Sequence, residues 1–213
     1  MRHPGNGAPG GGTVTRGDGA WRRLASRLLL DRSPWLRVFA DDVELPDGRR
    51  IEGYLRVDGR PYAAVFAVTE DQRAVFIRGY KYGPNRGCVQ LPAGYLEEGE
   101  APEAAARREL LEETGYQAQQ WEDLGACYPD GNRGFGVAHF FLARAARAVQ
   151  APDSGDLEEV TVRTVPLAEI PALLASGEMV ELSSVACVAL ALTRLGRLPG
   201  QAPGPAGAAP GRA

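Results

Sequence analysis

An α/β fold of the α+β kind, with helices laid against one mixed sheet, is what this sequence predicts, and three observations predict it. Runs rich in β-branched and aromatic residues recur at 62–68, 74–80, 136–142 and 160–165, the composition that suits a pleated, half-buried surface. Helical segments interrupt these runs, so helices and strands must share a core. Nearer the amino end, Pro46-Asp47-Gly48 joins two more extended runs, and its preset φ and flexible glycine suit a β-hairpin.

Taken in order, residues 1–19 are mostly Gly, Pro and polar residues, and 198–213 repeat that composition. Neither end can bury enough apolar surface to offset its ordering entropy, so both are expected to be disordered tails. Over 20–30, Trp21, Leu24 and Leu28 recur at helical spacing with Arg22, Arg23 and Arg27 opposite, which predicts a short amphipathic helix. The runs at 36–44 and 49–57 form the hairpin, and with the preceding helix make an amino-terminal unit over 20–60. A main domain is expected over 61–197. Its clearest helix spans 102–114, with Pro102 at its start and Gly115 just past its end. A second helix is expected around 184–195 and a shorter one between 167 and 175; no internal repeat of useful period is found.

The 213 residues are enough for one well-buried core, and 44% apolar against 24% charged places the chain among ordinary globular proteins. A formal charge of -3 offers no general attraction to nucleic acid or to an anionic membrane, so neither is expected as a partner. The longest apolar run, 185–192, is too short to span a bilayer, and the amino terminus lacks the layout of a signal peptide. Cys88, Cys127 and Cys187 are scattered without CxxC spacing and only two histidines occur. This argues against a zinc site and for a reducing, cytoplasmic setting.

The chemistry concentrates in residues 94–116, GYLEEGEAPEAAARRELLEETGY. At about 100° per residue, Glu109, Glu112 and Glu113 fall within an arc of roughly 100°, so three carboxylates leave one helix face within little more than a turn. Like charges so close call for cations, and carboxylate oxygens are the hard ligands that Mg²⁺ or Mn²⁺ prefers. Mg²⁺ typically takes one or two protein carboxylates and completes its shell with water and substrate phosphate, which suits diphosphate chemistry. For an arbitrary acidic helix a solvated face is the commoner reading, by roughly four to one. Against it here, Ala105 and Ala106 share the arc and leave room for a loop or ligand, and Arg108 is a donor fork able to hold a carboxylate.

The whole segment resembles the Nudix box: Gly, five residues, Glu, seven residues, then Arg-Glu-aliphatic-any-Glu-Glu-any-Gly-aliphatic. Gly94, Glu100, Arg108, Glu109, Leu110, Glu112, Glu113 and Gly115 match it, while Tyr116 stands where an aliphatic residue is usual. A chance match at a given start is on the order of 10⁻⁸. The resemblance implies a Nudix-type α/β/α sandwich and a hydrolase dependent on Mg²⁺ or Mn²⁺. It also implies metal ligation by Glu109, Glu113, Glu112 and the Ala93 backbone carbonyl, with Glu112 and Arg108 counted among the catalytic groups. Glu100 and Arg108 would brace the loop and helix, and Gly94 and Gly115 would serve the motif's backbone.

Around the box, residues 78–100, RGYKYGPNRGCVQLPAGYLEEGE, resemble the ADP-ribose and nucleotide-sugar pyrophosphatase branch of that family, a likeness covering roughly 34–195. That branch implies a homodimer exchanging an amino-terminal strand unit, a small-molecule nucleotide substrate, and a general base in an acidic loop. Here the loop is 152–160, PDSGDLEEV, which puts forward Glu158 or Glu159; a solvated acid is nearly as common a fate for each. Tyr128-Pro129-Asp130-Gly131 resembles the branch's proline-bearing loop. Gly94, Arg78, Tyr80 and Tyr82 are expected at the substrate, where aromatic faces stack a base and Arg holds phosphate. Gln90 in place of an acid and Gly79 in place of Gln depart from the branch. The expected reaction is hydrolysis of ADP-ribose or another nucleoside diphosphate sugar to a nucleoside monophosphate and a sugar phosphate. The alternatives are a hydrolase of nucleoside triphosphates or other diphosphates, and a nucleotide-sugar sensor without turnover.

Overall fold

The computed structural model describes residues 19–153, 155 and 160–197. The two expected tails, apart from Gly19, lie outside the described residues, as do Glu158 and Glu159. In chain order the elements are β1 (Arg22–Arg32), β2 (Leu36–Glu44), β3 (Arg50–Gly59), β4 (Tyr62–Thr69), β5 (Arg73–Lys81), β6 (Arg86–Gln90) and β7 (Ala93–Tyr95). There follow α1 (Pro102–Thr114), β8 (Tyr116–Gln117), β9 (Gln120–Cys127), β10 (Ala138–Ala148), β11 (Thr161–Pro166), a 3-10 turn (Leu167–Glu169), α2 (Ile170–Ala175) and α3 (Leu182–Arg194).

The chain divides into two compact units at Asp58 and Gly59. The first is a three-stranded sheet in the order β1-β2-β3. The expected hairpin is there as β2 and β3, but the expected helix over 20–30 is not: those residues form β1, antiparallel to β2. Register shifts fall between Arg23 and Ala25 and between Leu28 and Leu30. Each bulge moves the side-chain phase by one residue, which breaks period-2 alternation and leaves Trp21, Leu24 and Leu28 imitating a helical stripe. Pairing with β2, reinforced by Arg22 on Glu44 at 2.7 Å and Ser26 on Asp41 at 2.5 Å, overrides that local pattern.

The second unit is an eight-stranded sheet running β11-β5-β4-β10-β8, with β6 on β5, β7 on β4 and β9 on β10. The β4–β10 pair is parallel and its neighbours antiparallel, so the sheet is mixed, as expected. Alternation along β4 builds two cores. Ala64, Phe66 and Val68 pack with Cys187, Val188, Ala191 and Leu192 of α3, whereas Ala63, Val65 and Ala67 pack with Ala105, Ala106 and Leu110 of α1. Helices therefore cover both faces, giving the α/β/α sandwich. The expected strand at 136–142 continues as β10 through a bulge at Ala145, whose φ is 54°. Among the described residues no helix is long and apolar enough to cross a membrane.

Candidate active site

The acidic helix is held from both ends. Pro102 occupies its first turn and Ala101 supplies no side-chain cap. At its other end Gly115 has φ 72° and donates its N–H to the Leu111 carbonyl at 2.7 Å. Any side chain on Gly115 would be strained by that φ and would overlap the Gln150 carbonyl. Ala105 and Ala106 do not leave room for a ligand, contrary to the sequence expectation. They are completely buried, and their small size lets α1 settle close onto β4. That closeness brings Glu109 and Glu113 of α1 against β7.

There the geometry is tight. A Cβ on Gly94 would fall inside the Glu109 carboxylate, so glycine is required for that side chain to lie against the strand. Glu113 is buried and its Oε2 accepts the Ala93 N–H at 2.8 Å. Glu112 stands more open at the outer side of the helix, its side chain 41% exposed.

Arg108 is the hub. Its Nε and Nη2 grip Glu100 bidentately, at 3.0 Å each; Nη2 also donates to the Tyr95 carbonyl at 3.1 Å. Its Nη1 bridges Glu109 at 2.7 Å and Glu112 at 3.1 Å. The Glu100 bond is the largest influence raising the Arg108 pKa above its ordinary value; burial opposes it, and the bonds to Glu109 and Glu112 add to it. Glu100 is in turn held below the usual carboxylate range, first by Arg108 and then, against burial, by the Glu97 N–H. One cation thus ties the loop 95–100 to the helix and sits between two of its carboxylates.

Among the described residues no three acidic, histidine or cysteine side chains stand at mutual ligating distance. Chemically the donors nonetheless fit a hard divalent cation. They are carboxylate oxygens gathered on one face, beside a backbone stripped of its side chain at Gly94.

Ala93 and Gly94 also line a cleft of about 440 Å³ with Tyr62, Lys81, Tyr95, Phe135 and Glu181 among its walls. Arg78, Tyr80 and Tyr82 are not part of its lining. Arg78 pairs with Glu178 at 3.2 Å, the Tyr80 hydroxyl donates to Asn85 at 2.6 Å, and Tyr82 is 86% exposed. The cleft instead takes Lys81 from the end of the same strand, together with Gln90. The two departures at Gln90 and Gly79 turn out to be neighbours: a Cβ on Gly79 would lie 3.6 Å from Gln90 Nε2 and 3.1 Å from Val160. Lys81, Phe135 and Glu181 carried no signal in the sequence, because they come from segments far apart that only the fold brings together.

Carboxylates massed on a helix beside a bare glycine strand, at the end of a cleft with a lysine in it, define a class of enzyme that handles phosphate anhydrides through divalent metal. Comparison with known proteins gives the family. Residues 59–183 match the NUDIX domain, and 21–54 match the nucleoside diphosphate sugar hydrolase N-terminal domain. The chain is 34% identical to an ADP-ribose pyrophosphatase of Bacillus subtilis (strain 168), over 67% of this chain and 77% of that one. It is 32% identical to a CMP-5'-(N-acetyl-N-hydroxy-3-aminopropyl)phosphonate hydrolase of Streptomyces rubellomurinus, over 83% and 84% respectively. A crystal structure described as an ADP compounds hydrolase shares the fold, with a TM-score of 0.72 at 23% identity, covering 84% of this chain and 97% of its own. The chain belongs to the Nudix family and is a Nudix hydrolase, an enzyme of a kind that uses divalent metal ions.

Proposed function

We propose that this enzyme hydrolyses the diphosphate linkage of ADP-ribose or another nucleoside diphosphate sugar, releasing a nucleoside monophosphate and a sugar phosphate. The observation that carries this reading is the junction of the glutamate face of α1 with the Gly94 end of the cleft. Both relatives are named for cleaving a nucleotide compound, ADP-ribose in one and a CMP-linked phosphonate in the other, which supports it.

In this reading Glu109, Glu112, Glu113 and the Ala93 carbonyl would hold Mg²⁺, which would supply charge neutralisation for the diphosphate and activation of water. Arg108 keeps Glu109 and Glu112 turned toward one another and fixes the loop through Glu100. Lys81, a compact positive charge in the cleft wall, meets a phosphate. Glu158 or Glu159 serves as the base that orients the attacking water. Arg78, Tyr80 and Tyr82 stand outside the cleft and receive no role in it within one chain.

The working form is a homodimer built on the amino-terminal sheet. Trp21, Leu28, Leu29 and Trp35 are exposed there, and β1 is an edge strand, both features of a surface that pairs with a second copy. Cys88, Cys127 and Cys187 are all free, which supports a reducing cytoplasmic setting.

The test is product chromatography after incubation with Mg²⁺ and ADP-ribose, other nucleotide sugars, or nucleoside triphosphates, for the protein and its Glu113→Gln variant. Nucleoside monophosphate and sugar phosphate, lost in the variant, are the expected result. Pyrophosphate from triphosphates alone would replace the substrate class, and tight nucleotide binding with no turnover would leave a sensor.

A further inference from the structure

The segment after Gly94 is under electrostatic load. It carries Glu97, Glu98 and Glu100, and the helix it is tied to carries Glu109, Glu112 and Glu113. Like charges gathered this way favour parting of the loop from the helix. Arg108 opposes that from the helix side, through the Tyr95 carbonyl and Glu100. A second arginine acts from outside the motif. Arg60 Nη2 donates to the Leu96 carbonyl at 2.7 Å, and the Leu96 N–H donates to the Pro61 carbonyl at 3.0 Å. The Arg60 guanidinium also lies over the Tyr95 ring, 5.0 Å from its centre. Two adjacent carbonyls, those of Tyr95 and Leu96, are thus each taken by a different guanidinium.

Arg60 is itself a fixed point. A Cβ on Gly136 would stand 2.5 Å from the Arg60 carbonyl oxygen, so a glycine is needed for that close approach, and the Tyr62 N–H donates to the Val137 carbonyl at 3.0 Å. Just beyond Arg60, β4 begins, where Tyr62 pairs with Tyr95 and Ala63 with Gly94. The Tyr62 and Tyr95 rings meet edge-on at 6.4 Å. A charge-assisted bond from a backbone so anchored is stronger than a neutral one, and the aromatic face under the cation adds to it. The hold passes along the chain. With Tyr95 and Leu96 pinned, the Tyr95 carbonyl and Glu100 stand where Arg108 grips them, and the remaining Nη1 of Arg108 bridges Glu109 and Glu112.

We propose that Arg60 is a positioning residue of the active site: by pinning Tyr95 and Leu96 it holds the acidic loop so that Arg108 keeps Glu109 and Glu112 together as a preformed site for a divalent cation. Partners that orient the ligands of a metal govern its affinity although they do not touch it. Arg60 lies outside residues 94–116, and only the fold brings it to the loop. This inference deepens the proposed function and rests on its reading of the glutamates as metal ligands.

The test separates the two. Mn²⁺ binding, read from the electron paramagnetic resonance of the free ion, and turnover of ADP-ribose against Mg²⁺ concentration are measured for the full-length protein and its Arg60→Met, Arg60→Gln and Arg60→Lys variants. Leu192→Ala, destabilised at a distant place in the core, is the control for loss of stability. Met keeps an apolar stem and Gln a neutral polar end, so either serves where the other fails to fold, and a circular dichroism melt reports folding. The expected result is about 10-fold weaker Mn²⁺ binding in Arg60→Met and Arg60→Gln, partial recovery in Arg60→Lys, and turnover that returns at high Mg²⁺. Leu192→Ala should bind Mn²⁺ as wild type does, per folded molecule. Unchanged Mn²⁺ binding in the two uncharged variants, beside a wild type that binds Mn²⁺, would overturn this inference alone. An equal loss in Leu192→Ala would also overturn it, because general loosening would then account for the effect. Wild-type protein that binds no Mn²⁺ and whose turnover ignores Mg²⁺ would remove the metal reading of the glutamates together with it.

Discussion

Helices α1 and α3 are each thirteen residues long and lie on opposite faces of the same sheet, yet they are made for different ends. The first, PEAAARRELLEET, reaches the core through two alanines, Leu110 and the buried Glu113 and Thr114. The second, LSSVACVALALTR, does so through Cys187, Val188, Ala191 and Leu192. Burial of apolar surface secures α3. Little of it is available to α1, which is secured by its glycine end, its alanine contact and the Arg108 network. Under the proposed function one face of the sheet serves stability and the other chemistry, and substitutions on the two faces should separate accordingly.

The largest effect on folding should come from Leu192→Ala. Truncating a completely buried leucine costs about 2–5 kcal/mol, read as a lower urea midpoint, while turnover per folded molecule is retained. On the other face Glu113→Gln should do the reverse. It keeps an oxygen to accept the Ala93 N–H, so the melting temperature should shift by a few degrees at most, but turnover should fall at least about 100-fold. Comparable losses of stability and activity in both variants would erase the distinction between the faces.

A smaller, pH-dependent effect is expected at Glu100. Its carboxyl is held below the ordinary 4.5, first by Arg108, so the charged form favours the folded state. That contribution is fully present above the unfolded value and is lost as pH falls through the lower folded value. Wild type should therefore be more stable than Glu100→Gln at neutral pH, and the gap in urea midpoint should close on acidification below about 4.5. A gap independent of pH would show that packing, and not the ion pair, is what Glu100 contributes. Smallest of all is Glu103→Ala, which removes an exposed pair with Arg107 at 2.8 Å; about 0.3–0.5 kcal/mol is expected, shrinking with added salt.

The stretches at β4 and β5 were legible in the sequence because their residues alternate into two cores or run apolar throughout, and β11 because Val162 and Val165 stand among β-branched threonines. β9 was not: QWEDLGAC is a largely exposed strand with few β-branched residues, made a strand by its ladder to β10. β1 was misread as a helix for the related reason that two bulges disguise its period. In the site, residues adjacent on one helix were legible. The lining of the cleft was not, since Arg78 and Tyr80 turn to Glu178 and Asn85 while Lys81 and Phe135 line it.

By itself the sequence determined α1, its three-glutamate face and the glycines at 94 and 115, because helical spacing and motif spacing are local properties that no neighbour need supply. Only the tertiary structure decided why those glycines are needed and which side chains share the cleft. The Glu109 carboxylate occupies the place of a Gly94 side chain, and the Gln150 carbonyl that of Gly115. Both contacts arise from close packing between segments distant in the chain, and close packing is a property of the assembled sandwich.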